Sequence, residues 1–159
     1  MNVSLIGYRG TGKSTIAAIM AERSGMPVVS LDQAIVAKAG MPIPEIVEKN
    51  GWEHFRDRES EVLAQAAARD GLILDCGGGI ILREKNRETL KKAGPVVWLT
   101  ASVDTIAERI KEDTNRPSLT GKSFVDEISE VLGERTPLYR DASTHVVPTD
   151  DSTPEKTAE

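Results

Sequence analysis

The sequence lacks the features that would indicate a disulfide-bonded, membrane-spanning or nucleic-acid-binding protein. Its single cysteine, Cys76, cannot form an internal disulfide, which favours a reducing, cytoplasmic location. No apolar run approaches the roughly 20 residues that a membrane-spanning helix needs. The net charge of −5, with no basic block, argues against a nucleic-acid partner. The two histidines have no paired acids at a metal-binding spacing, which argues against zinc. This composition favours an enzyme that acts on small molecules.

Short apolar segments alternate with helical patterns along the chain. The predicted strands are Val3–Ile6, Val28–Leu31, Leu72–Leu74, Val96–Leu99 and His145–Val147, and the predicted helices include Pro44–Asn50 and Trp52–Arg69. Because apolar strands separated by helices form parallel sheets covered on both faces, we predict one α/β domain over residues 1–159, with three α/β/α layers. Ligands of such sheets bind at the carboxyl ends of the strands. The segments that follow the strands are therefore candidates for the site: Gly7–Ser14, Ser30–Asp32, Asp75–Gly79 and Thr100.

The first of these segments has the pattern of a phosphate-binding loop. Gly7-Tyr8-Arg9-Gly10-Thr11-Gly12-Lys13-Ser14 follows a predicted strand and precedes a predicted helix, as the pattern G-x-x-x-x-G-K-[ST] requires. Its glycines let successive backbone N–H groups point at a phosphate, beside the positive end of the helix dipole. Lys13 would reach the β- and γ-phosphates, and Ser14 would ligate Mg²⁺. We therefore predict that a nucleoside triphosphate is bound by Gly10, Thr11, Gly12, Lys13, Ser14 and Thr15.

Several charged residues elsewhere are ambiguous when each is considered alone. Asp32 could cap a helix, Arg56 could form exposed pairs on a helix, and Arg116 and Arg135 could be surface arginines. Their sequence context is more informative, because it places them in a fixed order of motifs. After Asp32 the chain contains Gly51-x-x-x-Phe55-Arg56-x-x-Glu59, Gly77-Gly78-Gly79, Asn115-Arg116-Pro117 and Arg135-Thr136-Pro137-Leu138-Tyr139. With the phosphate-binding loop, this order and spacing resembles the shikimate kinase family over nearly the whole chain.

The resemblance implies a fold, an activity and a set of site residues. It implies the sheet order 2-3-1-4-5 and transfer of the γ-phosphoryl of ATP, with Mg²⁺, to the 3-hydroxyl of shikimate. A helical region at about 32–61 would bind shikimate, and a mobile lid at about 112–123 would close over ATP. The implied catalytic residues are Lys13, Asp32 and Arg116; Arg109 and Arg116 would also contact the nucleotide. The implied shikimate-binding residues are Asp32, Arg56, Gly77, Gly78, Gly79 and Arg135.

The chain departs from the family's pattern after the second strand. Most members have D-x-D there, with the first Asp near Mg²⁺, whereas this chain has Ser30-Leu31-Asp32. The missing carboxylate could come from Asp75, which in the family's strand order would lie beside Ser30. A turn-capping role for Asp75 is equally open. Ser30, Asp32 and Asp75 are therefore the side chains that could contact metal-bound water.

Two other functions remain open from the sequence. A related kinase that phosphorylates gluconate or a nucleoside monophosphate would explain Trp52 and Ile80, which differ from the family's usual residues. A nucleotide-binding module without catalysis would explain Ser30. Such a module would serve as a regulator or as a partner of another protein. For the shikimate kinase interpretation we expect shikimate and ATP as ligands, no nucleic acid, no membrane and a monomeric protein.

Overall fold

One parallel sheet organises the computed structural model, which describes residues 1–9, 11–110 and 124–149. Its strands are β1 (Val3–Ile6), β2 (Val28–Ser30), β3 (Ile73–Asp75), β4 (Val96–Thr100) and β5 (His145–Pro148). Their spatial order is β2-β3-β1-β4-β5, and every neighbouring pair is parallel. The predicted fold class and strand order are confirmed.

Helices connect the strands and cover the sheet. Those in the described residues are α1 (Lys13–Ser24), α2 (Leu31–Ala39), α3 (Ile43–Ala67), α4 (Glu84–Ala93), α5 (Val103–Ile110) and α6 (Phe124–Ala142), with a 3₁₀ turn at Ile80–Leu82. The two helices predicted around Gly51 correspond to the two halves of α3. Gly51 separates them with φ 85° and ψ 167°, a backbone conformation that favours glycine.

The central strand contributes side chains to the core on both faces of the sheet, because successive side chains of a strand point to opposite sides. Leu5 packs with Ile16 and Ala17 of α1. Ile6 belongs to the larger core cluster, which includes Phe55 of α3. Burial on both faces explains why a central strand such as β3 is a continuous apolar run rather than an alternating one up to Asp75.

The register of the strands aligns their carboxyl ends at one edge of the sheet. Ser30 of β2 and Leu5 of β1 both pair with Asp75, the last residue of β3. Asp75 therefore lies within β3, and the predicted boundary at Leu74 was one residue short. The consequence is that Asp75 is held by strands on both sides, next to the start of the phosphate-binding loop.

Candidate active site

The phosphate-binding loop lies between β1 and α1, and its shape depends on two glycines. Gly12 precedes α1 in the left-handed conformation, with φ 90° and ψ 18°. A Cβ on Gly7 would overlap the carbonyl oxygen of Leu99. The Lys13 ammonium is buried beneath the loop and donates to the carbonyl oxygens of Gly7 at 2.7 Å and Tyr8 at 3.1 Å. The loop is thus folded around the ammonium group that would face the phosphates.

The other predicted nucleotide-binding residues of this loop have different surroundings. Thr11 is buried, and its hydroxyl donates to the carbonyl of Tyr8 at 2.7 Å, so its side chain braces the loop. Gly12 and Thr15 line a cleft of about 610 Å³ that begins at this loop. Gly10 lies outside the described residues.

Asp75 contacts the phosphate-binding loop directly. The hydroxyl of Ser14 donates to Oδ2 of Asp75 at 2.7 Å, although the two residues are 61 positions apart. Burial raises the pKa of the Asp75 carboxyl, while the Ser14 hydrogen bond and the Lys13 ammonium act in the opposite direction. The neighbouring Ser30 has a different role, because its hydroxyl caps α2 by accepting from the backbone N–H of Gln33 at 3.3 Å. The capping interpretation of Asp32 is therefore wrong, since the cap of α2 is Ser30.

Two of the three glycines after β3, Gly77 and Gly79, leave space that a predicted shikimate-binding side chain occupies. A Cβ on Gly77 would lie 2.8 Å from Oδ1 of Asp32, and one on Gly79 would overlap the Arg56 guanidinium. The same atom on Gly78 would lie 3.5 Å from Nη1 of Arg135. The structure thus brings together residues from α2, α3 and α6 around this triple-glycine segment, residues 77–79. At positions 77 and 79 space, rather than an unusual backbone conformation, accounts for glycine, whereas a Cβ on Gly78 would make only ordinary van der Waals contacts.

Arg56 is held by an acid and two aromatic rings. Its Nη1 lies 3.1 Å from Oε1 of the fully buried Glu59, one helical turn away. Its guanidinium carbon is 5.3 Å from the ring centroid of Trp52 and 5.2 Å from that of Phe55. Burial and cation–π contacts fix the orientation of this guanidinium. Arg56 therefore does not form an exposed ion pair on the helix surface, which was the alternative left open by the sequence.

Arg135 and Tyr139 lie four residues apart on α6, so both side chains reach the triple-glycine segment. The Tyr139 hydroxyl donates to the carbonyl of Gly78 at 2.5 Å. Burial raises the pKa of Tyr139 to about 12, although the nearby Arg135 guanidinium partly opposes this effect. Arg135 is only 7% exposed. The final motif of the sequence is thus a helix face that contacts Gly78 through Tyr139 and places Arg135 beside it.

Arg109, at the end of α5, lines the same cleft as Lys13 and Ser14 of the phosphate-binding loop. Its Nη1 donates to the hydroxyl of Thr149 at 3.1 Å and its Nη2 to the carbonyl of the same residue at 2.9 Å. Thr149 is itself bound to the carbonyl of Thr100 at the end of β4. This chain of contacts ties the Arg109 guanidinium to the carboxyl edge of the sheet.

The cleft of about 610 Å³ is lined by the phosphate-binding loop and by part of the predicted shikimate-binding group, and its lining does not include Arg56, Gly79 or Arg135. Its lining includes Lys13, Ser14, Asp32, Asp75, Gly77 and Arg109. A cleft of this size accommodates small-molecule ligands. Arg116 and the predicted lid at 112–123 lie outside the described residues.

Three residues of the site were not predicted as functional. Glu59 and Tyr139 belong to the motifs quoted above, so the motifs themselves were the signal. Thr149 carries no sequence signal, because its contact with Arg109 depends on the placement of β5. Cys76 is buried, and burial raises its pKa well above the ordinary value, so its thiol stays protonated at neutral pH.

Comparison with known proteins identifies the family. The sequence profile described as "Shikimate kinase" matches residues 9–159. The chain belongs to the shikimate kinase family. The predicted family membership is therefore confirmed, and the family uses ATP as co-substrate with Mg²⁺.

Individual relatives support the same assignment. The chain is 43% identical over 148 residues to a shikimate kinase of Nitratidesulfovibrio vulgaris, covering 91% of this chain and 85% of that protein. It is 39% identical over 158 residues to one from Thermodesulfovibrio yellowstonii, covering 99% and 91%. The solved shikimate kinase of Acinetobacter baumannii in complex with shikimate matches with a TM-score of 0.95 and 36% identity, covering 99% of this chain and 88% of that chain.

A gluconokinase is among the more distant structural matches. A gluconokinase from Sinorhizobium meliloti matches with a TM-score of 0.58 and 19% identity, which shows only a common fold.

Among residues 1–9, 11–110 and 124–149, the helices include none that is long and apolar enough to cross a membrane.

Proposed function

We propose that this chain transfers the γ-phosphoryl of ATP to the 3-hydroxyl of shikimate, giving shikimate 3-phosphate and ADP. The observation that carries the proposal is the convergence of Asp32, Arg56 and Arg135 on the triple-glycine segment, beside the cleft that the phosphate-binding loop lines. A phosphate-binding loop alone would be compatible with many kinases. The acceptor side of the cleft makes the proposal specific.

The acceptor region suits a small ring that carries one carboxylate and several hydroxyls. Arg56 and Arg135 can bind a carboxylate through charge-assisted hydrogen bonds, and a planar guanidinium can do so with two nitrogens at once. The Asp32 carboxylate accepts hydrogen bonds from hydroxyls. Glycine at 77–79 lets backbone N–H groups approach the ring without side-chain obstruction.

Phosphoryl transfer requires positioning and neutralisation of charge. Lys13, held at the phosphate-binding loop, would contact the β- and γ-phosphates. Ser14 would hold Mg²⁺, which neutralises charge on the phosphates when bound. Asp32 would orient the attacking hydroxyl and accept its proton late in the reaction, and Arg116 would approach the transferred group.

The proposal also covers the surroundings of the reaction. Arg109 would stack on adenine, and residues 112–123 would form the lid that excludes water. Residues 1–159 would act as one monomeric domain in the cytoplasm, with small molecules as its only partners. Size-exclusion chromatography with light scattering checks the monomer, and cell fractionation checks the location.

The deciding experiment measures ADP release with ATP and Mg²⁺ in the presence of shikimate, gluconate, a nucleoside monophosphate or no acceptor. Turnover only with shikimate supports the proposal. Turnover with another acceptor assigns the chain to a related kinase. ATP binding without turnover indicates a binding module. Asp32→Asn is the matched variant, because it keeps the size of the side chain and removes the charge that would orient the hydroxyl.

A further inference from the structure

The contacts of Ser14 and Ser30 distinguish two side chains at the carboxyl edge of the sheet. Ser30 and Asp75 are paired in adjacent strands, so both lie next to the phosphate-binding loop. The Ser30 hydroxyl accepts the Gln33 N–H and caps α2. Asp75 instead accepts a hydrogen bond from Ser14, the residue of the loop that would hold Mg²⁺. Of these two contacts, that of Asp75 connects a carboxylate to the position of Ser14.

The direction of the Ser14 hydrogen bond is suited to cation binding. A serine hydroxyl has one hydrogen and two lone pairs. Because the hydrogen points to Asp75, the lone pairs of the Ser14 oxygen are available to a cation. The negative carboxylate also increases the electron density on that oxygen, in the way that hydrogen-bonded partners strengthen metal ligands. Asp75 is 7% exposed, so water screens this effect weakly.

We propose that Asp75 is the residue that positions Ser14 and supplies the carboxylate for the Mg²⁺ of the bound nucleotide in this chain, whereas Ser30 serves α2 as its cap. This inference rests on the proposed function, since it concerns the metal of the same nucleotide site. Hard cations prefer oxygen ligands, and Mg²⁺ keeps several waters when a protein binds it. A carboxylate behind the serine can therefore act without displacing the phosphates.

The test compares the affinity for ADP in Mg²⁺ with the affinity in a chelator, by calorimetry. The dissociation constant in chelator divided by that in Mg²⁺ measures the contribution of the metal, and this ratio requires no turnover. For Asp75→Asn we expect the ratio to fall by about 10-fold to 100-fold, as for other partners of metal ligands. The affinity in chelator should not fall, because Lys13 and the glycines of the loop are unchanged and the variant removes a negative charge that repels the phosphates.

Two further variants separate the roles of the neighbouring strands. Ser30→Ala removes only the cap hydroxyl, and we expect it to keep the metal-dependent ratio. The double variant S30D/D75N places a carboxylate on β2 instead; aspartate caps helices as well as serine does, so α2 should be preserved. Recovery of the ratio in the double variant would show that a carboxylate at this edge is what matters.

The inference would be overturned if Asp75→Asn kept the wild-type ratio of dissociation constants, or if Ser30→Ala lowered this ratio and Asp75→Asn did not. If Asp75→Asn does not fold, Asp75→Ser is judged by the same ratio. The proposed function fails separately, through the absence of shikimate-dependent ADP release by the wild-type protein, whatever the ratio in the variants.

Discussion

Replacing Tyr139 with phenylalanine would remove one hydroxyl from the contact between α6 and the triple-glycine segment. The ring would keep its place, because it stacks on Trp98 with a centroid separation of 5.7 Å and is fully buried. The lost group is the donor to the Gly78 carbonyl. The substitution therefore removes this hydrogen bond and the one between the hydroxyl and Arg135, with little change in packing.

The size of the effect follows from burial. A buried carbonyl that loses its donor costs about 1–3 kcal/mol of the free energy of unfolding. The pKa of Tyr139 describes a different quantity. Burial raises it from 10.0 to about 12, which favours the neutral over the ionised phenol in the folded state by about 2.7 kcal/mol.

The pKa shift also predicts how stability depends on pH. Because the folded-state pKa is raised, the contribution of the neutral phenol is complete below the unfolded pKa of 10.0 and is lost as the pH rises through about 12. In that window the wild type should lose about 1.4 kcal/mol per pH unit relative to Tyr139→Phe, which has no phenol at this position. Urea unfolding of both proteins between about pH 8 and about pH 11 measures the difference.

The same substitution should affect substrate binding. The Gly78 carbonyl and the Gly79 N–H belong to one trans peptide, so they point in opposite directions. Fixing the carbonyl with Tyr139 therefore fixes the direction of the N–H that we propose approaches shikimate. We expect a raised KM for shikimate with a smaller change in kcat. Parallel stability curves for the two proteins across this pH range, together with an unchanged KM, would refute this reasoning.

Three other predictions follow from the site. Arg135→Ala should weaken shikimate binding by about 1.5–3 kcal/mol, which raises KM. Lys13→Ala should mainly lower kcat. If kcat and KM changed to the same extent in both variants, these separate roles in binding and turnover would be contradicted. In a Trp98→Phe protein, shikimate should change the fluorescence of Trp52, whose ring lies 5.3 Å from a proposed carboxylate-binding guanidinium; a flat titration at saturation, with nucleotide present, would count against it. Glu59→Gln should lower the free energy of unfolding by about 3–5 kcal/mol, because it leaves a buried arginine without its acid. Shikimate should then raise the Tm of the Glu59→Gln protein more than that of the wild type. An equal rise in the two proteins would argue against carboxylate binding by Arg56.

The local features of the site could be predicted from the sequence because each depends on neighbouring residues. The phosphate-binding loop requires glycines at fixed positions between a strand and a helix, and Gly12 has the left-handed conformation that this turn needs. The break in α3 coincides with Gly51 for the same reason. The order of the motifs then sufficed to suggest the family, and with it the strand order. Short-range backbone geometry restricts residue type, so it leaves a pattern in the sequence.

Only the tertiary structure decided which side chains meet. Ser14 and Asp75 are 61 positions apart, as are Gly78 and Tyr139, and both contacts depend on how the parallel strands and their connecting helices are placed. The contact of Arg109 with Thr149 likewise requires β5 to lie beside β4. Such contacts impose no fixed spacing along the chain, because the helical connections between parallel strands vary in length. Their partners are therefore set by strand register and helix packing, which single-residue patterns do not encode.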